Sequence, residues 1–561
     1  MRKKLLLLLL LIFNVSFSQT PNWTWAKNIS LYFNSKTTMT AVDNQGNVYL
    51  AGDFNTPSVT ISGTTLTNMS ETGFSDAYIL KFTFDGNLIW SKQISTTKNE
   101  SITSITTDST GNIYIIGGFG TTTTLGTSLL TGTLGGLYLA KLNSNGDFVW
   151  AIKNTGTNES FSLSDIKTDT NGNVFVVGNM RGTSLTFGSV ILSREATDPT
   201  VNNDLVFVIK FDANGICQWG KTATSDEANP FGSIGSSIAT DNNGGVAICG
   251  RFAHNTLHLG TITLTKTTQN NYSSNMFIAK YDGNGNEMWA YNAGSIYQNN
   301  TIAWGIATDI NDNVYVGGTY PNSIELGTTT LNSFAGAQMF LAKYTANGTF
   351  QWAKTTGYST NGYSAVRSIT TDAASNVYVA GMTYASTISF AANVNLYNLG
   401  NVGAFFVAKY DTQGTPIWAK GVTNIDANND ISIACRSEND LFIAGSFDKS
   451  TLQLGTTLTK SAANFDLFIA RLYLAPLSIN DFDNNAISLY PNPANEILTI
   501  ANLKTSYQYE LYDILGKLLQ KGSFVNEQES INVSALQSGL YAIKLTDSEG
   551  KTYQKKFIVK Q

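Results

Sequence analysis

Short hydrophobic runs alternate with turns rich in Asp, Asn and Gly along most of this chain. The clearest example covers 369–418, where ITTDAASNVYVAG precedes a variable region and then FFVAKYDTQGTPIWAK. Runs of the NVYVAG and FIAKY types are hydrophobic at nearly every position. A strand that is hydrophobic on both faces is buried on both faces, as in sheets that stack on each other. The pattern therefore predicts an all-β fold of packed sheets.

The pattern is a repeat of about sixty-five residues that ends on a Trp and occurs seven times. In six copies a Lys lies nine positions before the Trp and a Gly lies four before it. Each unit predicts four strands, A to D, with short hairpin turns between A and B and between C and D. The Lys–Trp spacing predicts that the Lys stem lies beside the indole across the C–D hairpin. The seven Trp residues are Trp25, Trp90, Trp150, Trp219, Trp289, Trp352 and Trp418.

The two ends of the repeat region complement each other. The segment Trp23–Lys27 reads as a D strand with no A, B or C before it, whereas the last repeat has A, B and C but no Trp. We expect the N-terminal D strand to complete the last sheet and to place Trp25 against Arg471. An open solenoid has no use for such an exchange. The sequence thus predicts a seven-bladed β-propeller with N-/C-terminal strand closure over residues 19–476.

These units resemble the bacterial SBBP-type β-propeller repeats, whose D-x-x-GN-x-Y-x-x-G core is visible at Asp108–Gly117 and Asp372–Gly381. Two departures stand out: Arg436 replaces the Asp of the last A–B turn, and Gly244-Gly245 replaces Gly-Asn in the fourth copy. An additional segment between B and C, such as Leu259–Leu264, predicts a small added hairpin. The Asp-Asn-Gly turns could be mistaken for calcium loops, but they recur at every hairpin and lack a terminal Glu, which favours Asx turns.

Composition and charge narrow the class of protein. Only 13% of the 561 residues are charged, Gly is abundant at 49, and the net charge is −5. This is typical of an extracellular β protein and gives no electrostatic footprint for a nucleic-acid partner. The three cysteines are too few and too scattered for a disulfide framework, and we interpret them as small buried thiols. No cofactor is expected, since the two histidines fall in one B–C insert and cannot form a multi-histidine metal site.

The first eighteen residues have the pattern of a secretory signal peptide. A positive segment precedes the short hydrophobic run Leu5–Phe13, and small residues at Ser16 and Ser18 predict cleavage between Ser18 and Gln19. The run is too short to span a bilayer, and no other stretch is long enough, so no transmembrane segment is predicted.

The pattern changes after a linker at 477–486. Residues 487–561 alternate in hydrophobicity with frequent turns and predict a small, Ig-like antiparallel β-sandwich. The YPNP segment, the YDILGK and LxxGxY blocks and the basic C-terminal strand resemble the type A C-terminal sorting domain of the Bacteroidetes type IX secretion system. The matching positions include Pro491, Asn492, Pro493, Gly516, Gly539, Tyr541, Lys555 and Lys556.

The resemblance implies a route and two partners. Sec delivers the chain to the periplasm, the type IX outer-membrane translocon exports it, and a sortase removes the domain. The protein is then secreted or held at the outer-membrane surface. The alternative is that 487–561 is an ordinary Ig-like binding module.

A binding function is expected where the repeats differ. The D–A and B–C connections are long, unlike one another, and predicted to share one end of the ring. Aromatic and basic side chains there could bind a glycan or a protein, and the selected candidates are Arg181, Arg251, His254, Tyr320, Tyr384, Trp304 and Tyr363. Further loop residues are Asp53, His258 and Asp448 on the B–C side, and Glu100, Glu159, Asp226, Glu227 and Tyr297 on the D–A side.

Three functions remain open on these residues. The first is a non-catalytic propeller that binds an extracellular glycan or protein. The second is a carbohydrate-active enzyme, which needs two suitably spaced carboxylates, with Glu159, Glu227 or Asp226 as candidates. The third is a structural adhesion component of the cell surface. A close, buried carboxylate pair in the central mouth would favour the enzyme.

Overall fold

A computed structural model describes the protein over residues 20–29, 39–132, 135–155, 161–194, 203–226, 231–267, 273–295, 300–358, 362–397, 399, 403–423, 431–461, 465–474, 487–503, 506–513, 517–547 and 552–560. These residues contain strands and turns and no helix, as the hydrophobic pattern predicts. They form two compact units that divide after Leu474. The signal peptide with its Ser18/Gln19 cleavage site, the linker at 477–486 and the positions Glu159, Glu227, Tyr297 and Gly516 lie outside the described residues.

The described part of the first unit contains seven propeller-like sheets, here called blades 1–7, each with four antiparallel strands in the order A-B-C-D. The A strands are Met39–Val42, Glu100–Thr107, Phe161–Thr168, Ser233–Thr240, Ile302–Thr308, Ser364–Thr371 and Ser432–Ser437. The B strands are Val48–Phe54, Ile113–Phe119, Val174–Met180, Val246–Phe252, Val314–Leu326, Val377–Thr383 and Asp440–Phe447. The C strands are Asp76–Phe82, Gly136–Leu142, Leu205–Phe211, Asn275–Tyr281, Thr329–Tyr344, Ala404–Tyr410 and Asp466–Tyr473. The D strands are Leu88–Ile94, Phe148–Lys153, Cys217–Thr222, Glu287–Ala293, Phe350–Thr355, Pro416–Thr423 and, for blade 7, Asn22–Ile29.

The predicted hairpin between strands B and C is confirmed. In blade 5 it is continuous with strands B and C, and in blade 6 the two-residue strand Gly357–Tyr358 pairs with its first strand. The separate hairpin strands are Ser58–Ile61 with Thr64–Thr67, Thr122–Leu125 with Ser128–Thr131, Ser184–Phe187 with Val190–Ser193, Thr256–Leu259 with Ile262–Thr265, Ile388–Ala391 with Val394–Leu396, and Thr451–Leu454 with Thr456–Thr459.

Burial follows the hydrophobic pattern. Strands B and C are buried at nearly every position, as in Asp76–Phe82, because each blade packs against a neighbour on both faces. The D strands are mostly half-buried, as in Leu88–Ile94, where one residue is exposed and one is buried. The cores between adjacent blades draw on both partners, so the clusters of buried side chains run from one blade into the next.

The Asp-x-x-Gly-Asn segments fold as Asx turns. In blade 1, Oδ1 of Asp43 accepts the backbone N–H groups of Gln45 at 3.0 Å and Asn47 at 2.8 Å. The second oxygen accepts the Tyr49 hydroxyl at 2.9 Å. Both carboxylate oxygens therefore serve the turn itself, which accounts for the recurring Asp without a bound cation.

The repeated Gly and Trp join neighbouring blades. In six blades the indole Nε1 donates to the carbonyl of the second residue of the next C–D turn, as Trp219 does to Gly283 at 3.1 Å. The turn Gly two residues later has positive φ, and a Cβ on Gly285 would lie 2.8 Å from the Trp219 ring. Only Gly allows the turn to approach the indole so closely. The other donor–acceptor pairs are Trp25–Phe84, Trp90–Ser144, Trp150–Ala213, Trp289–Ala346 and Trp352–Thr412.

The predicted Lys–Trp contact is correct in register but wrong in its aromatic partner. Lys81 pairs directly with Trp90 across the C–D hairpin. Its Nζ, however, lies 5.3 Å from the ring centre of Tyr49 on strand B and donates to the Ser144 carbonyl of the next blade at 2.8 Å. The Trp90 ring packs against the next blade, and the Lys81 ammonium lies over the Tyr49 ring of strand B instead.

The predicted pairing of the N-terminal D strand with the last sheet is confirmed. Asn22–Ile29 runs antiparallel to Asp466–Tyr473, and Trp25 lies opposite Arg471. The Arg471 guanidinium binds the buried Asp440 carboxylate with two hydrogen bonds, of 2.7 and 3.0 Å. Arg436, the residue that departs from the turn pattern, also donates to Asp440 at 3.0 Å. The first and last described strands of the unit thus lie in one sheet, and a buried carboxylate links the other strands of that sheet.

The C-terminal unit has two sheets around one core. The first contains Ser488–Tyr490, Ile497–Ala501 and Gln528–Asn532. The second contains Leu518–Phe524, Tyr507–Asp513, Gly539–Asp547 and Thr552–Val559 in that order. Side chains from both sheets, including Leu498, Leu511 and Ile543, are completely buried between them.

Candidate ligand site in the central channel

The A strands of all seven blades surround one cavity of about 270 Å³. Adjacent A strands are linked by Thr side chains near their ends. Thr107 donates to the carbonyl of Val42 at 2.9 Å, and the same bond recurs from Thr168 to Thr107 and from Thr240 to Thr168, both at 2.9 Å. These links between neighbouring blades hold the wall of the cavity in place.

The residues that differ most between the A strands are placed on β-bulges. Blades 2 to 6 each have one extra residue at the same point of strand A: Thr103, Ser164, Ser236, Trp304 and Arg367. The last three of these residues line the cavity. A bulge adds a residue that the partner strand does not match and re-aims its side chain, which is why bulges are frequent next to binding sites.

Arg367 and Trp304 form a stacked pair on adjacent blades. The guanidinium carbon lies 4.3 Å from the centre of the Trp304 ring. Nε of Arg367 donates to Sδ of Met382 at 3.2 Å, and no carboxylate among the described residues forms an ion pair with this guanidinium. The indole Nε1 of Trp304 is shielded from solvent and has no hydrogen-bond partner in the described part of the chain. The terminal nitrogens of Arg367 are therefore uncommitted donors of a residue that lines the cavity.

Across the described lining residues, the single carboxylate is that of Asp165. It accepts the hydroxyl groups of Ser104 at 2.9 Å and Ser237 at 2.8 Å, which lie on the two neighbouring blades. It also accepts two backbone N–H groups and Nζ of Lys167 at 3.1 Å. Both oxygens of the Asp165 carboxylate are occupied by these donors, which connect three blades. Asp165 therefore stabilises the wall of the cavity and is not available as a base.

The prediction that the D–A and B–C connections share one end is confirmed in three blades. Thr155, which follows a D strand, pairs with Thr186 of a B–C hairpin. Thr224 pairs with His258 in the same way. The candidate aromatics Tyr363 and Tyr384 meet edge to face, with ring centres 6.1 Å apart.

The remaining selected candidates have different surroundings. Arg181 is exposed and forms a two-pronged ion pair with Asp204, at 2.9 and 3.1 Å. Arg251 is half-buried, and burial lowers the pKa of its guanidinium. His254 and Tyr320 are completely buried, so these two support the blades from within instead of lying on a rim. Trp304 lies on strand A in the channel, not in the D–A loop.

His258 and Asp226 form a second pair at the loop end. Nε2 of the imidazole lies 2.9 Å from the Asp226 carboxylate, which also accepts the Thr256 hydroxyl at 3.1 Å. These hydrogen bonds lower the pKa of the Asp226 carboxyl. The carboxylate is two-thirds exposed, and its proposed partners Glu159 and Glu227 lie outside the described residues.

Buried carboxyl groups also lie near the loop end of blades 1 and 2, away from the cavity lining. Burial raises the pKa of Asp53 to about 6 and that of Glu100 to about 7. The carboxyl of Asp76 acts on Glu100 in the same direction and is itself fully buried. The carboxylate of Asp76 accepts the backbone N–H of Met69 and the Gln93 amide, both at 2.7 Å, which ties the B–C hairpin to strand D.

Two of the sorting positions, Asn492 and Lys555, join the last strand of the C-terminal unit to its first residues. The Asn492 amide oxygen accepts the backbone N–H of Ile558 at 2.8 Å, and Lys555 Nζ donates to the Ile487 carbonyl. The Tyr541 hydroxyl donates to the Gln537 carbonyl at 2.8 Å. Four further positions are exposed: Pro491, Pro493, Gly539 and Lys556. The basic last strand therefore holds the start of the unit.

Sequence comparisons agree with both units. Residues 89–117 match the profile of the Beta-propeller repeat family of the SBBP type, which spans strand D of blade 1 and strands A and B of blade 2. Residues 488–560 match the Secretion system C-terminal sorting domain family. The chain therefore combines propeller repeats with a type IX sorting domain, which directs secretion to the cell surface or the extracellular space through its secretion machinery.

Similar proteins cover parts of the chain. A WD repeat-containing protein of Acanthamoeba polyphaga mimivirus is 26% identical over 447 residues, which is 68% of this chain and 32% of that protein. An endo-acting ulvan lyase of Formosa agariphila is 38% identical over 86 residues, 14% of this chain and 16% of the enzyme. The chain thus spans a third or less of the curated relatives it matches.

Solved structures are similar at low identity. The type IX surface component PorZ of Porphyromonas gingivalis is 12% identical, with a TM-score of 0.21, over 93% of this chain and 74% of PorZ. A puromycin hydrolase is 9% identical, with a TM-score of 0.37, over 86% of this chain and 58% of the hydrolase. Within the described residues, no helix has the length and hydrophobicity to cross a membrane.

Proposed function

We propose that this chain is a secreted or surface-displayed, non-catalytic, seven-bladed β-propeller that binds an extracellular glycan or protein. Its Ig-like C-terminal sandwich serves export by the type IX translocon and is removed by a sortase. The ligand occupies the central channel and contacts the loop-bearing end of the ring. The interface residues predicted at that end, Arg181, Arg251, Tyr363 and Tyr384, are secondary contacts in this proposal.

The observation that carries the proposal is the contrast between a uniform scaffold and an irregular channel wall. The turn, Gly and Trp positions are repeated in blade after blade and are committed to interblade contacts. The channel instead holds Trp304 and Arg367 at bulge positions where another blade has Ser236. A side chain that differs from its counterparts in the other repeats is not required by the scaffold. Where such a side chain also lines a cavity, it is a candidate for ligand binding.

A carbohydrate-active enzyme is the alternative, and the channel gives it less support. Hydrolysis of a glycoside requires two carboxyl groups on either side of the bond. Among the described lining residues only Asp165 has a carboxylate, and it is held by five donors. The buried pair Glu100 and Asp76 lies outside that lining.

The test is a glycan and surface-protein array probed with the full-length secreted protein. We expect a saturable ligand whose binding is weakened at least tenfold by Trp304→Ala and is unchanged by Tyr397→Ala, an aromatic with 64% of its surface exposed. Thermal melting of both variants controls for folding. Turnover of any array glycan by the wild-type protein would contradict the non-catalytic proposal.

A further inference from the structure

The charged groups that line the channel are unbalanced. Of the described lining residues, Arg367 and Lys167 are cationic and Asp165 is anionic, and Asp165 is already paired with Lys167. Arg367 is left as a cation without a counter-ion in the described residues. A partly buried charge without a partner is costly, and a ligand that supplies the missing anion recovers that cost on binding.

The geometry of the guanidinium favours a planar anion. Its Nε donates to the Met382 sulfur, and its central carbon lies over the Trp304 ring. These two contacts hold the guanidinium in place, and its two terminal nitrogens have no hydrogen-bond partner among the described residues. A fixed guanidinium binds a carboxylate with two parallel hydrogen bonds better than a mobile ammonium does.

The rest of the wall favours a hydroxyl-rich ligand. Nine of the 23 lining residues are Ser or Thr, among them Ser236 beside Trp304 and Ser368 directly after Arg367. Hydroxyl groups can both donate and accept, as sugar hydroxyls require. The cavity of about 270 Å³ equals the space of about nine water molecules, which suits one sugar ring rather than a folded peptide loop.

We propose that the channel binds an acidic sugar, with the carboxylate of a uronic-acid residue on Arg367 and its ring hydroxyls on the Ser wall. This inference rests on the proposed binding function and names the chemical class of its ligand. Trp304 is the positioning residue that holds the guanidinium. Lys167 lies in the same lining, but its charge is balanced by Asp165.

The experiment is a calorimetric titration of the full-length secreted protein with galacturonic acid, with galactose as the neutral match and with galactose 6-sulfate as the sulfate arm. We expect galacturonic acid to bind at least tenfold more tightly than galactose. Arg367→Gln removes charge-assisted hydrogen bonds and should weaken galacturonic acid roughly 10- to 100-fold, to the level of galactose. Lys420→Gln, which removes a half-buried cation of strand D in blade 6 outside the cavity lining, is the control and should leave the affinity unchanged.

Each outcome separates the two proposals. Equal affinity for galactose and galacturonic acid, or full affinity in Arg367→Gln, overturns the acidic-sugar assignment while a binding function stands. Preference for the sulfate arm, or for a peptide with a free C-terminal carboxylate, also overturns it. If no glycan or protein on the array binds, the proposed binding function itself is wrong. If Arg367→Gln does not fold, a titration of the wild-type protein at raised ionic strength tests the same charge, and it should weaken the binding of galacturonic acid but not that of galactose.

Discussion

Replacing Glu100 by Gln tests the electrostatics of the closed scaffold. Glu100 begins strand A of blade 2 and is completely buried. One carboxyl oxygen accepts the Thr96 hydroxyl at 2.8 Å, and the other has no hydrogen-bond partner among the described residues. Burial raises the pKa of this carboxyl from 4.5 to about 7, and the nearby Asp76 acts in the same direction. The folded protein therefore holds a proton here that the unfolded chain releases.

The sign and size of the effect follow from linkage. Between pH 4.5 and pH 7 the folded state binds more protons at Glu100 than the unfolded state does, so the free energy of unfolding falls as pH rises through this window. A shift of this size corresponds to about 3 kcal/mol above pH 7. Glu100→Gln keeps the shape of the protonated acid and cannot ionise. The variant should match the wild type near pH 4 and exceed it by up to about 3 kcal/mol at pH 8.

Scanning calorimetry of both proteins from pH 4 to pH 8 measures the difference. For a unit of this size, about 3 kcal/mol corresponds to a rise in Tm of roughly 3–6 °C at pH 8. Glu325→Gln, at an exposed strand position, is the control and should follow the wild type at every pH. Parallel curves for the wild type and Glu100→Gln would refute the reasoning.

Two further predictions concern the propeller scaffold, and a third concerns the sorting domain. Gly285→Ala should lower stability by about 2 kcal/mol or more because its Cβ meets the preceding Trp, whereas Gly63→Ala, with similar φ and open space, should cost only about 1 kcal/mol in thermal melts. Asp440→Ala leaves Arg471 without its buried partner and should destabilise the ring by about 3–5 kcal/mol, measured by denaturant unfolding; a change under 1 kcal/mol would contradict this. Removing 478–561 should leave the propeller in the periplasm, and surface or medium detection by immunoblot would argue otherwise.

The pairing of the first strand with the last sheet was predictable because it follows from counting the strands in the first and last repeats. A D strand with no preceding A, B or C and a last repeat without a D strand can satisfy their backbone hydrogen bonds only by pairing. The observed register of Trp25 opposite Arg471 is the one that the Lys–Trp spacing of the other copies implies. The same counting could not assign the Lys to its aromatic partner, because the choice between the strand B ring and the indole depends on packing between blades.

The candidate site was only partly predictable. Trp304 was selected, but as a loop residue, and Arg367, Lys167 and Asp165 were missed. Aligning the A strands of the repeats would have found Arg367, because it stands where two other copies have Ser236 and Trp304. His254 and Tyr320 were selected for their chemistry, yet burial decides their role, and burial depends on how the B–C segment folds against its blade.

The sequence alone determined the strands, their number per repeat, the turn chemistry and the sorting domain, since each of these rests on residues close together in the chain. The tertiary structure decided which side chains face the channel and which lie inside the blades. A single extra residue in strand A changes the face on which Arg367 falls, and only the pairing with strand B shows where that residue is inserted.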